Sequence, residues 1–488
     1  MIYLSRAMTS TGWLLATAVV ALAASPALLL AQGTPPSSSS VWQPKGVQGL
    51  EREMPVKPQE FVALDATRTY ALADLIDLAE QHNPETRVAW EEAKSRAASL
   101  GIARSALYPT MSAVALAASI RQASLVGEYF NRQTLGVFEP ILHVEYLVFD
   151  LGGRSGEIDE AKANLLASDF VFNDTHRHII FQVASAFYRL LNAEGQRQAA
   201  EVSLDNAKAV EEDAEARLAN GLATKPDELE ATAARTQADF DLQATIGAVD
   251  IARGDLATAI GAAPGATFNV EGIDKLPLPS SIALSVDQEM DRAFSQRPDL
   301  LRQLAQLRAA NASIKQAKST YFPSLRFDGD GGLARAYGQT NLFPGHYAEG
   351  EVWTAQLNLE WTLFDGARRE YRVAQAEAEK KAARAQIETL RDQIANDVWA
   401  AYSNMQTALR QQQAAAALLT ASQESYEAAH EAYGYGVRNV LDVVSAQKAL
   451  AQARSEDIAA RTQLLLQATN LAFQTGDLLQ AQNWSPGP

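Results

Sequence analysis

Two periodicities alternate along this chain. From Trp353 to Leu363, apolar side chains (Trp353, Ala355, Leu357, Leu359, Trp361, Leu363) take turns with polar ones (Thr354, Gln356, Asn358, Glu360, Thr362). That is the period-two signature of a strand with one apolar face. Leu142, Val144, Tyr146 and Val148 alternate in the same sense with His143, Glu145, Leu147 and Phe149, and Glu145 matches Glu360. Weaker partner strands are expected at about 110–121 and 324–333, where Leu325 and Phe327 alternate with Arg326 and Asp328, with polar loops near 122–138 and 334–350. Elsewhere the step lengthens: Ile387, Leu390, Ile394, Val398, Ala401, Met405, Ala408, Ala415 and Leu419 recur every three or four residues or multiples of that, close to a coiled-coil spacing. The stretches at about 153–219 and 367–435 are rich in Ala, Gln, Glu, Lys and Arg and lack proline, which predicts two very long helices. At ~1.5 Å rise per residue each spans roughly 100 Å, far beyond a single globular core.

The elements come in duplicate. Asn83-Pro84-Glu85 recurs as Arg297-Pro298-Asp299 and Tyr108-Pro109-Thr110 as Phe322-Pro323-Ser324, both at an offset of 214 (298 against 84, 323 against 109). Tyr146-Leu-Val-Phe149-Asp150 recurs as Trp361-Thr-Leu-Phe364-Asp365, and Gly221, Asp227, Ala231 and Gly261 recur as Gly436, Asp442, Ala446 and Gly476, all at 215. A period this long is too large for a solenoid unit and reads as two pseudo-equivalent halves. Each half holds a helix pair around its proline, two strands, a long helix, a turn at Gly221 or Gly436, and a returning helix closed by Gly261 or Gly476.

At the N-terminus, Arg6 precedes an apolar run from Trp13 to Leu30 with the small-residue triplet Ala21-Leu22-Ala23, which reads as a secretory signal over 1–23, an uncleaved anchor being the alternative. Residues 24–66, which include Gly33-Thr-Pro-Pro-Ser-Ser-Ser-Ser40, are expected to form a flexible linker. The first repeat then covers 67–275, with its strand pair at about 110–150 and tip near 221. The second covers 276–478, with its strand pair at about 324–365 and tip near 436, and 479–488 form a short tail. No stretch after the leader offers a membrane-spanning helix.

Composition narrows the function. A net charge of −16 argues against nucleic acid as a partner, and the absence of cysteine removes disulfides, thiolate metal sites and cysteine nucleophiles. His176 and His178 sit two apart on a helix and face different directions, and Asp328-Gly-Asp330-Gly lacks an acid at the twelfth position, where Gln339 stands. Glu211-Glu212-Asp213 reads as a solvated helix face. The expected protein is not an enzyme and needs no cofactor or metal.

The strands decide between a plain coiled coil and something else. About eleven residues, tilted, suffice for a strand to cross a bilayer, and the apolar faces carry aromatics. Four strands cannot close a barrel, and open sheet edges are not tolerated in lipid. Several copies must therefore pool strands; three copies would supply about twelve, within the range of outer-membrane barrels.

The duplication, the Tyr-Pro-Thr and Phe-Pro-Ser junctions, the Phe149-Asp150 and Phe364-Asp365-Gly366 corners and the tip Tyr433-Gly-Tyr-Gly436-Val-Arg438-Asn-Val-Leu-Asp442-Val-Val together resemble a TolC-type outer-membrane efflux protein over about 67–478. The resemblance implies a mainly α fold with a small β part: a homotrimer whose helical hairpins form a periplasmic α-barrel below a 12-stranded transmembrane β-barrel. It implies a passive exit duct in the outer membrane of a Gram-negative bacterium, joined through a periplasmic adaptor (membrane fusion) protein to an inner-membrane pump. The alternative reading is a periplasmic coiled-coil adaptor or scaffold without a channel, which should carry one hairpin and no duplicated strand pairs.

Residue roles follow. Leu142, Val144, Tyr146, Val148, Trp353, Leu357, Leu359 and Trp361 are expected to face lipid. Asn439 suits an N-cap with Asp442 as the third helical residue, and Thr224 stands in the same relation to Asp227. A ring of such helix starts would also bring three Asp442 carboxylates into one mouth. The resemblance makes Asp442 an acidic constriction and has Arg438 and Tyr433 tie the second hairpin to Asp227. Ser445 stands where a second acidic ring residue can occur. Gly221, Leu222, Ala223 and Thr224, with Gly436 and Val437, resemble the tip residues that receive the adaptor.

Overall fold

The computed structural model describes residues 61–126, 128–340 and 344–479. The expected signal at 1–23, the linker as far as residue 60 and the tail from residue 480 lie outside the described residues.

Proline and glycine punctuate the helices as the sequence expects. Helix α1 (Leu72–His82) stops at Asn83, whose side chain accepts the Glu85 N–H at 2.8 Å and opens α2 (Pro84–Ser105). In the second half α5 (Val286–Gln296) stops at Arg297 and α6 (Pro298–Ser319) begins at its proline. Proline at the first helical position loses no hydrogen bond and arrives with a helical φ. The two long helices, α3 (Gly153–Ala219) and α7 (Arg368–Gly434), run 67 residues each. Their partners are α4 (Lys225–Ala259) and α8 (Val440–Thr475). Gly221, Gly261, Gly436 and Gly476 all have φ between 73° and 87°, the left-handed conformation that closes a helix end.

Helix α3 packs along α4, α6, α8 and α2, whereas α7 packs along α8 and α6. The largest buried cluster lies midway along α3, where Ile179, Val183, Phe187 and Leu190 meet Leu256 of α4, Ile260 just after it and Leu75 of α1. A short parallel pair not expected from sequence, β1 (Thr69–Tyr70) with β4 (Asn269–Val270), borders this core. The expected linker ends earlier than residue 66. Val62 donates its N–H to the Gly261 carbonyl at 3.2 Å, and Val62 and Leu64 pack on the core, because apolar side chains beside a buried cluster gain more than they lose by ordering. The start of the expected tail is also structured, Leu479 completing a 3-10 turn, Asp477–Leu479.

The four long strands are β2 (Thr110–Val126), β3 (Tyr129–Phe149), β5 (Ser324–Thr340) and β6 (His346–Glu360), antiparallel in the order β2-β3-β5-β6. The expected loops at 122–138 and 334–350 are corrected: most of both segments continues the ladder, Arg121 pairing with Thr134 and Arg335 with Glu349. Hydrogen bonding there does not depend on side-chain contrast, so the strands outrun their apolar alternation. Edges β2 and β6 have no neighbour among the described residues.

Candidate functional site

The sheet has two chemically different faces. Register places His143 opposite Asp330, Glu145 opposite Asp328, and Asp328 opposite Gln356, so these share one face with Arg326, Asn358 and Glu360 around a common hollow. Polar side chains there satisfy one another across strands: His143 with Asp330 at 2.8 Å, Arg326 with Glu145, and Asn358 donating to Asp328 at 2.7 Å. The opposite face carries Leu142, Val144, Tyr146, Leu325, Phe327, Trp353, Leu357 and Leu359. Trp353 is 79% exposed and Leu359 65% exposed, a large apolar area that water does not favour. Val148 lies in a bulge where Leu147 pairs with Arg326 and Phe149 with Leu325. Trp361 departs from expectation: β6 ends at Glu360, and the Trp361 indole N–H donates to the Tyr321 carbonyl at 3.1 Å, at the foot of the strands.

Two equivalent corners join strands to helices. Leu151 and Gly152 in one, Gly366 and Ala367 in the other, have left-handed φ. In the first, the Arg154 guanidinium donates to the carbonyls of Ala106 and Val148 at 3.1 and 3.0 Å and stands 3.8 Å from Asp150. In the second, Arg369 donates to the carbonyls of Thr362 and Leu363 at 2.7 and 3.1 Å and pairs with Asp365 at 3.2 Å. Neither arginine is expected from motif reading, although both sit at the 215-residue offset that would have flagged them.

At the far end of the long helices the two hairpin tips have matching caps. Leu222 N–H donates to Arg217 O and Val437 N–H to Ala432 O, each closing a helix end one residue beyond its glycine. Leu222 and Val437 then project into solvent, 74% and 79% exposed. The capping role expected for the acids holds: Thr224 donates its N–H and hydroxyl to Asp227 at 2.8 and 2.7 Å, and Asn439 accepts the Asp442 N–H at 2.9 Å. The Thr224 side-chain and backbone bonds hold the Asp227 carboxyl below the usual range.

The expected tie to Asp227 is not made within the chain. Asp227 is committed to Thr224, while Arg438 turns to Asp442 of its own hairpin at 3.9 Å. Tyr433 is buried among Val210, Ala214 and Ala231 of the first hairpin and Val440 and Val443 of the second, and its hydroxyl finds no partner among the described residues. Burial pushes that hydroxyl's pKa up, partly opposed by the positive charge of Arg217. Arg217 reaches Tyr433 instead, its guanidinium 4.3 Å from the ring centroid. Ser445 lies one turn into α8, and Ala223 and Thr224 complete the first tip. Among the described residues, no group of three His, Asp or Glu side chains could hold a metal ion, and no helix is long and apolar enough to cross a membrane.

The family model for outer membrane efflux proteins matches residues 75–262 and 290–477, two segments displaced by 215 residues (290 against 75, 477 against 262). The chain belongs to the outer membrane efflux protein family. This outer membrane efflux protein is 27% identical to protein CyaE of Bordetella pertussis over 415 residues, covering 84% of each chain. It is 26% identical to outer membrane protein OprJ of Pseudomonas aeruginosa, over 77% of this chain and 78% of that one. Its fold is similar to a crystal structure of a Pseudomonas aeruginosa membrane protein, with a TM-score of 0.71 at 23% identity over 85% of this chain and 91% of that one. As a member of this family the chain is a non-enzymatic exit duct of the outer membrane with a large periplasmic part, and family members are the outer-membrane components of efflux systems. The two hairpins and two strand pairs do not suit the alternative of a single-hairpin adaptor.

Proposed function

We propose that three copies close one duct, each lending four strands to a 12-stranded barrel and two hairpins to a periplasmic α-barrel. The observation that carries this reading is the sheet β2-β3-β5-β6, open at both edges among the described residues and exposing Trp353, Leu357 and Leu359. An apolar face seeks lipid, and unpaired edges in lipid cost several kcal/mol per unsatisfied group, so pairing β2 of one copy with β6 of the next answers both demands. The polar face with His143, Glu145, Asp328 and Asp330 then lines the lumen.

The hairpin tips form the periplasmic mouth. Asp442 from three copies makes it acidic and enriches cations there. Arg438, 3.9 Å from Asp442, partly offsets that charge. Ser445 adds none. The exposed Leu222 and Val437, framed by Gly221, Ala223, Thr224 and Gly436, give a periplasmic adaptor apolar points of contact, and the adaptor joins the duct to an inner-membrane pump that supplies the energy. Planar-bilayer recording of the purified protein tests the reading: discrete cation-preferring channels are expected, and a preparation that never conducts would overturn it.

A further inference from the structure

Arg217 stands in the last turn of α3, on the first hairpin, yet it serves the end of a helix on the second. Its Nη2 donates to the carbonyl of Gly434, the last residue of α7, at 2.8 Å, while its guanidinium covers the Tyr433 ring at 4.3 Å. Helix ends leave their last carbonyls without intrahelical partners and carry partial negative charge, so a cation there meets a free acceptor and a favourable dipole. Tyr433 is 5% exposed, packed between the two hairpins, and its hydroxyl has no partner among the described residues. What it offers is therefore the face of its ring.

The next side-chain bond between the hairpins lies further from the tip, where Gln447 donates to the Ser203 carbonyl at 3.2 Å. Beyond that point Arg217 makes the only side-chain hydrogen bond crossing between the hairpins among the described residues. The pseudo-equivalent residue of the second repeat is Ala432, so no reciprocal contact exists.

We infer that Arg217 is the clasp holding the second hairpin tip against the first within each chain, and that its release frees the tips to part. This rests on reading the tips as the mouth of the duct, and it deepens that reading by naming the positioning residue. A charge-assisted bond to a carbonyl and a cation–π contact are both directional and modest in strength, which suits a contact that must break and re-form.

The test compares the parent with Arg217→Met, Arg217→Lys, Tyr433→Leu and the double variant R217M/Y433L in planar bilayers. Arg217→Met should raise the open-to-closed ratio about tenfold, with Lys recovering part of the closure through its charge. The double variant should add little to R217M, which already removes the ring contact, but should open more than Y433L, which leaves the bond to the Gly434 carbonyl in place. Arg235→Met serves as control: Arg235 bridges α4 to Glu211 of α3 at 2.7 Å inside the first hairpin and should leave gating at the parental level. Equal opening in R235M, or parental gating in R217M, would overturn the clasp. A second readout does not need conduction. Hydrogen exchange at the Gly436 and Val437 amides in detergent should quicken about tenfold in R217M, and unchanged exchange there would also overturn the clasp. Silence of the parent in the bilayer would instead count against the duct reading while exchange still judges the clasp.

Discussion

Arg154 and Arg369 stand 215 residues apart and act alike, each guanidinium gathering two carbonyls at the corner where a strand meets a long helix, with an aspartate four residues earlier beside it. The chain passes through left-handed φ at both corners, at Leu151 and Gly152 and at Gly366 and Ala367. The arginines take up the carbonyls of Val148, Thr362 and Leu363 just before them, together with that of Ala106 at the end of α2. A forked five-donor side chain suits that task.

Replacing Arg369 with Ala should therefore weaken the junction. Its side chain is 11% exposed and that of Asp365 13%, so truncation leaves an acid and two carbonyls poorly paired at a cost of about 1–3 kcal/mol. The expected outcome is a lower dissociation temperature of the assembled protein on semi-native gels, with Arg369→Lys intermediate.

Asp442 and Arg438 should move ion selectivity in opposite directions. Asp442→Asn removes charge from the mouth and should lower cation preference. Arg438→Ser removes the nearby cation and should raise it. Reversal potentials across a salt gradient check both, and Arg438→Ser is expected to act mainly through charge because its only ion pair among the described residues is the 3.9 Å contact with Asp442.

Leu222→Asp and Val437→Asp should abolish efflux in cells while leaving assembly and conductance intact. Both side chains are exposed and touch no core, so a carboxylate there costs little in folding but is unfavourable in an apolar contact with an adaptor. Growth in the presence of exported toxicants, set against conductance of the same variants, separates the two effects.

Acid should loosen the junction between the halves. Burial acts to raise the Asp299 carboxyl, but its bonds with Arg297, the nearby charge of Arg177 and the Leu300 N–H outweigh it, leaving its pKa below that of an ordinary aspartate. A carboxyl depressed in the folded state contributes stability above its unfolded pKa and loses it as pH falls through the folded one. Thermal melts should decline below about pH 4, and Asp299→Asn should be less stable at neutral pH with a shallower decline.

Much of the architecture is legible in the residues. The long helices declare themselves because proline-free, Ala-rich stretches end at glycines in both halves, and the duplicated offset ties each element to its partner. The inner parts of β2 and β5 are only faintly legible for a physical reason. Ala113, Ala115, Ala117 and Ala118 in β2 and Gly329, Gly331 and Gly332 in β5 are too small for apolar and polar faces to differ. At Gly332 a Cβ would collide with the Pro140 carbonyl oxygen, so strand approach fixes that residue rather than face chemistry. At the tips the capping acids are legible, since a cap partner lies three residues away. Arg217 is not, because it recognises a backbone carbonyl, which leaves no mark in sequence, and its repeat position holds Ala432.

One chain, on this reading, supplies only part of a wall that other copies complete in lipid. Native mass spectrometry of the detergent-purified protein is the sharpest check. A single species of three chains that loses solubility when detergent is withdrawn is expected. A lone chain, stable and monodisperse in plain buffer, would refute the shared wall.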